Sequence, residues 1–369
     1  MPLRTKGLLW PGLLLAWIVV SPLWSSDPAT AMPKAVALLA CSLAAWRMTT
    51  VVTVEEMFTC IFYTVSALLV VSLALVIFIP SIGVVQHEWQ HIGNWKGMFG
   101  SKQGLGMVSA IFTGIVLLRL VRQRTLFDAV VCGVGLVCLL YSGSRGAGVM
   151  AVVAVACLVI TRGNPKLASI VTFLFLADLL VVVAEFSYLY ITGRESFLLF
   201  GYDINFTERT FIWQYLISVW PTHPYFGFGL NGFWTDENVY YAFKRLHGWV
   251  LDNDHSGYLT ILLETGVVGF TLFSVVVVQL VFKLKHLMAN VRAHRFSLEM
   301  AAVFLIMFFT INMTETFFLR STNFVSTFFT FLVTKILSTP NVFPVPSVSR
   351  FRKMAPGLGA WSRGEARRV

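Results

Sequence analysis

Arg145, Arg194, Arg209 and His255 are the residues of this chain whose types suit chemistry at a single place. A guanidinium keeps its charge at any physiological pH and meets phosphate oxygens through a planar fork, while an imidazole exchanges protons near neutrality. Three of the four lie between Tyr190 and Tyr258, the one long polar interval in an otherwise apolar sequence. Such a set suits a phosphorylated substrate, and its place beside apolar spans makes that substrate a lipid.

The elements that must position these residues are helices in lipid. Of 369 residues 57% are hydrophobic and only 12% charged, with a mean hydropathy of +0.75. A soluble surface needs about twice that charge density, so the fold class is all-α, a polytopic membrane bundle. Apolar runs flanked by Trp, Tyr or basic residues give about ten spans: 7–21, 31–46, 57–79, 105–120, 126–141, 147–160, 167–184, 258–282, 299–311 and 324–337. Arg4, Lys6 and the apolar run from Leu8 also allow a cleavable signal peptide, although Pro11 and Pro22 interrupt it.

Charge orients the bundle. With the N-terminus inside, 19 of the 28 basic residues fall in inside segments, among them the cluster Arg119, Arg122 and Arg124 and the tail from Lys335 to Arg368. The positive-inside rule favours that parity and puts the 190–258 loop outside, with both termini cytoplasmic. The net charge of +10 therefore speaks to anionic headgroups, and no nucleic-acid role is assigned. The five cysteines all sit in apolar spans, where they read as small packing residues.

Smaller features mark the outer face. His87, Glu88 and His91 have metal-ligand spacing on one helix face without a third ligand, and the same residues suit an interfacial polar helix. The glycine-rich run Gly97 to Gly106 carries Lys102 and Gln103 at the outer membrane surface. Arg145 opens the sixth span on the cation-poor side, as an anion contact or a structural charge. Asp178 and Glu264 are intramembrane acids, suited to hydrogen bonds between helices or to a proton path. Asn205 with Glu208 caps an amphipathic helix that carries Arg209 in its first turn and is expected to lie on the membrane surface. Asp254 or Ser256 caps the eighth span, with His255 at its mouth.

The order of these motifs resembles the O-antigen ligase and polymerase superfamily. They are G-x-F-G-x-K-x-x-L-G at 97–106, S-x-S-R at 142–145, E-R-T-x-x-W at 208–213, P-x-x-G-x-G-x-N-x-F at 224–233 and D-H-S-G-Y-L-x-x-L-L-E-x-G-x-x-G at 254–269. The likeness covers roughly 95 to 270 and is greatest to exopolysaccharide polymerases of the Wzy/ExoQ type. The chain departs from it in Glu208, where Gly is frequent, and in Ser256, where Asn follows the histidine.

The resemblance implies a glycosyltransferase of the bacterial inner membrane that takes a polyprenyl-diphosphate-linked glycan as donor and a glycan or lipid-linked hydroxyl as acceptor, with no metal and no cofactor. By the same resemblance Arg145 and Arg209 hold the diphosphate and His255 acts on the acceptor hydroxyl or the leaving group. Arg194, Lys102, Asn231 and Asp254 are the further candidates for substrate contact. Membrane lipids, a chain-length regulator and export proteins are the expected partners. The expected organisation is helices in 1–94, the ligase-like core in 95–282, further helices in 283–338 and a basic tail in 339–369. An O-antigen ligase moving finished glycan, or a polysaccharide transporter with polar residues on broken, repeated helices, are the alternatives.

Overall fold

The computed structural model describes residues 5–87, 91–161, 167–193, 197–199, 202–204, 209–248, 254–290, 295–320 and 323–339. A helix stands at each of the ten apolar segments: α1 (Leu9–Val20), α2 (Pro28–Val51), α3 (Val54–Phe78), α5 (Lys102–Gln123), α6 (Leu126–Ser142), α7 (Arg145–Thr161), α8 (Leu167–Thr192), α12 (Gly257–Asn290), α13 (Arg295–Ile311) and α14 (Phe324–Ser338). Among the described residues, α2, α3, α5 and α12 are long and apolar enough to cross a membrane. The connections add the single turns α4 (Pro80–Gly83) and α10 (Gly232–Thr235), and the helices α9 (Arg209–Val219) and α11 (Glu237–His247).

One departure from the all-helical expectation is a short antiparallel hairpin, β1 (Phe197–Leu199) with β2 (Tyr202–Ile204), Phe197 opposite Ile204. It lies within the polar interval and leaves the bundle architecture unchanged.

Local chemistry sets the helix ends. Thr53 and Glu56 form a reciprocal capping box on α3, Ser101 accepts from Gly104 N–H at the start of α5, and Thr125 accepts from Asp128 N–H at the start of α6. These satisfy amides that have no intrahelical partner, at about 1 kcal/mol each. The two acids of α3, Glu55 and Glu56, are thus a solvated first turn.

α5 is the centre of the bundle, packing on α3, α6, α7 and α13, while α12 packs on α1, α8, α13 and α14. The main core is made by α12, α13 and α14, with Phe304, Phe308, Phe328 and Phe331 wholly buried or nearly so. The outer sides of α1 to α3 show Leu13, Val36, Val70, Val71 and Phe78 instead, an apolar surface suited to lipid.

α12 is broken near one end. Gly266 has φ +66 and ψ −169, a backbone state that favours glycine, and the segment after Pro224 fills the gap in the ladder. Phe228 N–H donates to the Leu263 carbonyl at 2.8 Å and Val267 N–H to the Pro224 carbonyl at 2.9 Å, with Gly227 directly against the Glu264 backbone. The motif at 224–233 and the glycine at 266 are therefore two halves of one contact.

α9 corrects an expectation. The sequence placed this helix on the membrane surface, but Thr210, Ile212, Trp213, Tyr215, Leu216 and Ile217 are buried and the helix packs on α8. Periodicity identified an apolar face; the protein, rather than lipid, covers it. The expected cap at Asn205 and Glu208 lies outside the described residues, as does the Asp178 side chain.

Candidate functional site

A chain of close contacts gathers one end of the bundle. Gly106 near the start of α5 lies against Ser142 and Ser144, so the α6–α7 turn crosses over it. Gly146, beside Arg145 at the start of α7, faces Thr314 at 3.4 Å from where a Cβ would stand. Thr314 belongs to the connection 312–320 between α13 and α14, and that connection meets both α9 and the start of α12.

Asn312 shapes the connection. Its Nδ2 donates to the Phe308 carbonyl at 2.7 Å, ending α13, and its Oδ1 accepts from Phe317 N–H at 2.9 Å and Phe318 N–H at 3.1 Å, closing the turn. Gly257 N–H, the first of α12, reaches the carbonyls of Asn312 at 2.8 Å and Glu315 at 3.0 Å. A Cβ at 257 would collide with the Asn312 side chain, so the glycine of D-H-S-G is set by this approach.

Arg209 and His255 meet on Glu315. Arg209 Nη2 donates to Glu315 Oε1 at 2.7 Å and its Nη1 to the Thr314 carbonyl. His255 Nδ1 lies 3.7 Å from Glu315 Oε2. The Arg209, His255 and Glu315 side chains are 20%, 28% and 13% exposed, so the cluster is open on one side. Burial alone would push the Glu315 carboxyl up; the neighbouring His255 ring and the Arg209 charge outweigh it and hold the group below its ordinary value. His255 has φ +51, a strained state for a residue with a side chain, of the kind that collects at functional sites.

Two of the guanidinium's five donors are used on this connection, which leaves an edge for an anion. Arg145 is exposed at the same end. The arrangement suits an anionic group bound beside an imidazole that moves a proton.

Three expected substrate contacts are turned inward. Asp254 is fully buried, with Thr260 and Thr316 hydroxyls on its two oxygens and its carbonyl accepting from Trp213 Nε1 at 2.8 Å. Burial pushes its carboxyl up, against those hydrogen bonds. It braces α9, α12 and the 312–320 connection. Lys102 is 8% exposed with Nζ 2.9 Å from His91 Nδ1, not at a lipid surface. Asn231 is 9% exposed, φ +58, and its Oδ1 accepts from Lys34. Arg194, like Glu88 of the possible metal pattern, lies outside the described residues.

Glu315, Thr314, Thr316 and Asn312 are what the sequence reading missed. The signal was present: N-M-T-E-T-F-F-L-R at 312–320 is a polar run between two apolar spans, on the same side as the long loop by the same parity.

An apolar cavity of about 150 Å³ lies beside this end, lined by α1, α2, α12, α13 and α14 and by residues 317–320. Leu14, Leu38, Phe273, Phe309 and Phe318 are among its walls, and among the described residues Arg320 is the one charged side chain that lines it.

The fold and the site define a multi-pass helical membrane protein with an arginine–histidine–carboxylate cluster at one end of the bundle. Residues 129–274 match the O-antigen ligase family, so this segment, which contains Arg145, Arg209, Asn231, Asp254 and His255, bears out the resemblance to the O-antigen ligase and polymerase superfamily. No curated protein matches the chain.

Proposed function

We propose that the protein is an inner-membrane glycosyltransferase that polymerises lipid-diphosphate-linked oligosaccharide repeats in exopolysaccharide biosynthesis, working at the outer face. The observation that carries this is the meeting of Arg209 and His255, 46 positions apart, on one carboxylate at the mouth of the bundle. About ten crossings with both termini inside put that mouth outside.

The reaction follows from the residues. The acceptor hydroxyl gives its proton to His255 as its oxygen attacks the anomeric carbon of the donor. The bond from that carbon to the diphosphate breaks, and the diphosphate leaves with the electron pair. Negative charge grows on the leaving group, where the free edge of Arg209 and the exposed Arg145 stabilise it. Neither role needs a metal or a cofactor. The apolar cavity, lined in part by Arg320, suits a stretch of the donor's hydrocarbon chain.

Ligases and polymerases share this chemistry and differ in acceptor. A deletion strain decides between them: single-repeat products mean a polymerase, and unligated polymer means a ligase. The chemistry itself is tested on purified protein given a polyprenyl-diphosphate-linked repeat. Arg209→Ala loses about 100- to 1000-fold in rate, and Arg209→Lys does not restore it, because a point charge replaces a fork. His255→Ala loses about 100- to 10,000-fold. Folded variants that extend the repeat at near wild-type rate refute the mechanism.

A further inference from the structure

We propose that Glu315 is a positioning residue: its two carboxylate oxygens hold the Arg209 guanidinium and the His255 imidazole at a fixed spacing and select the ring nitrogen that faces the substrate. The inference rests on the roles given above to Arg209 and His255, and it adds a residue outside the matched segment 129–274.

The geometry is asymmetric in an informative way. Oε1 makes a short charge-assisted bond to Arg209 at 2.7 Å, while Oε2 stands 3.7 Å from His255 Nδ1, at ion-pair rather than hydrogen-bond length. With Nδ1 turned to the carboxylate, Nε2 is the nitrogen directed to the acceptor hydroxyl. When that hydroxyl gives its proton to Nε2, the imidazolium formed lies against a negative charge that is already in place. A carboxylate serving a catalytic histidine this way orients the ring and stabilises its cation without taking the proton.

The surroundings fit this better than a plain loop anchor. Arg209 from α9 and Glu315 from the 312–320 connection are among the groups that face His255. The neighbouring Asp254 carboxylate is turned away to Thr260 and Thr316. The Glu315 carbonyl also accepts from Gly257 N–H at 3.0 Å, so one residue fixes the backbone beside His255 and presents the carboxylate to its ring. Anchoring alone would be met by the Thr314 and Glu315 carbonyls, with no need for a charge.

Glu315→Gln keeps the size of the side chain and an acceptor oxygen for Arg209, and removes the charge. In the purified protein, with a polyprenyl-diphosphate-linked repeat as donor, kcat falls about 100- to 10,000-fold and KM for the donor changes little. The acid limb of the pH–rate profile moves to lower pH, because the imidazolium has lost its carboxylate. Glu315→Asp keeps the charge on a stem one methylene shorter, recovers part of kcat and retains the wild-type limb; it decides the matter if the Gln variant does not fold. Wild-type kcat in Glu315→Gln overturns the proposal, and so does a loss of kcat with the limb unmoved, which marks a loop anchor. If Arg209→Ala and His255→Ala are inactive while Glu315→Gln is normal, only the positioning role falls. If Arg209→Ala and His255→Ala transfer at wild-type rate, the reading of the site falls and the positioning role with it.

Discussion

Both ends of the bundle set arginine against carboxylate, and the contrast lies in what else each group touches. At the Gln123 end of α5, Arg122 donates to Glu299 at 2.6 Å and lies over the Phe296 ring, while Arg119 faces Asp128 at 3.5 Å and covers the Phe62 ring at 4.0 Å. Each cation there has one acid and one aromatic surface, all carried on α5, α3, α6 and α13, and each staples helix to helix. At the other end, about 30 Å away along α5, a single carboxylate serves two cationic or protonatable groups, from a connection rather than a helix, next to a residue at φ +51. Pairs carried on regular elements hold a structure together. A carboxylate shared between an arginine with unspent donors and a histidine at φ +51 has capacity left for a substrate.

The contrast breaks first if the two ends do not face opposite sides of the membrane. A single cysteine at Leu246, which is 69% exposed, is expected to react with an impermeant thiol reagent in intact cells, and one at the exposed Ala289 only after permeabilisation, in a background without the native cysteines. Labelling in the reverse order would place the arginine–histidine cluster in the cytoplasm and end the proposed role.

Next in size is Asp254, which is buried and braces three elements. Asp254→Ala removes the carboxylate acceptor of the Thr260 and Thr316 hydroxyls and is expected to cost about 1–3 kcal/mol in thermal stability. Asp254→Asn keeps hydrogen-bonding atoms and removes a carboxyl that burial already disfavours when ionised, so it is expected to stay folded and to keep transfer activity. Full loss of transfer in a stable Asn variant would return Asp254 to the substrate.

How much of this was legible in the sequence differs from residue to residue. The ten helices were readable because apolar length is a local property, and the caps at Thr53 and Ser101 sit beside the helices they start. Arg209 and His255 were readable by type. Their meeting was not, since Glu315 lies 106 positions from Arg209 and nothing local reports the pairing. Lys102 and Asn231 show the complementary limit: their position in the chain was readable, and only packing decides whether a side chain turns to His91 or Lys34 or out to solvent. For α9 the apolar face was found but its cover was not.

Acid separates the ends further. Glu315 is held below its ordinary 4.5. A carboxylate depressed in this way contributes stability that is fully present above 4.5 and is lost as the pH falls through the lower folded value. Amide protection in 312–320, measured by hydrogen exchange, is therefore expected to hold from neutrality down to about pH 5 and to fall in stronger acid. Glu315→Gln is expected to remove that step, and an unchanged step would show that another group controls the connection.

The smallest effect is expected at the other end. The Arg122 side chain is 48% exposed, so solvent screens its pair with Glu299, and Arg122→Ala is expected to cost under about 1 kcal/mol in a thermal melt. A loss of several kcal/mol would mean that this pair, too, does more than staple two helices.

The most direct test compares the two arginines in one assay. Purified Arg209→Ala and Arg122→Ala, matched for folding, are given the same polyprenyl-diphosphate-linked repeat, and chain extension is timed. The expected result is a loss of about 100- to 1000-fold for Arg209→Ala and a rate close to wild type for Arg122→Ala. Equal losses, or a normal rate for Arg209→Ala, would contradict the claim that the Arg209–His255–Glu315 end is where glycan is transferred.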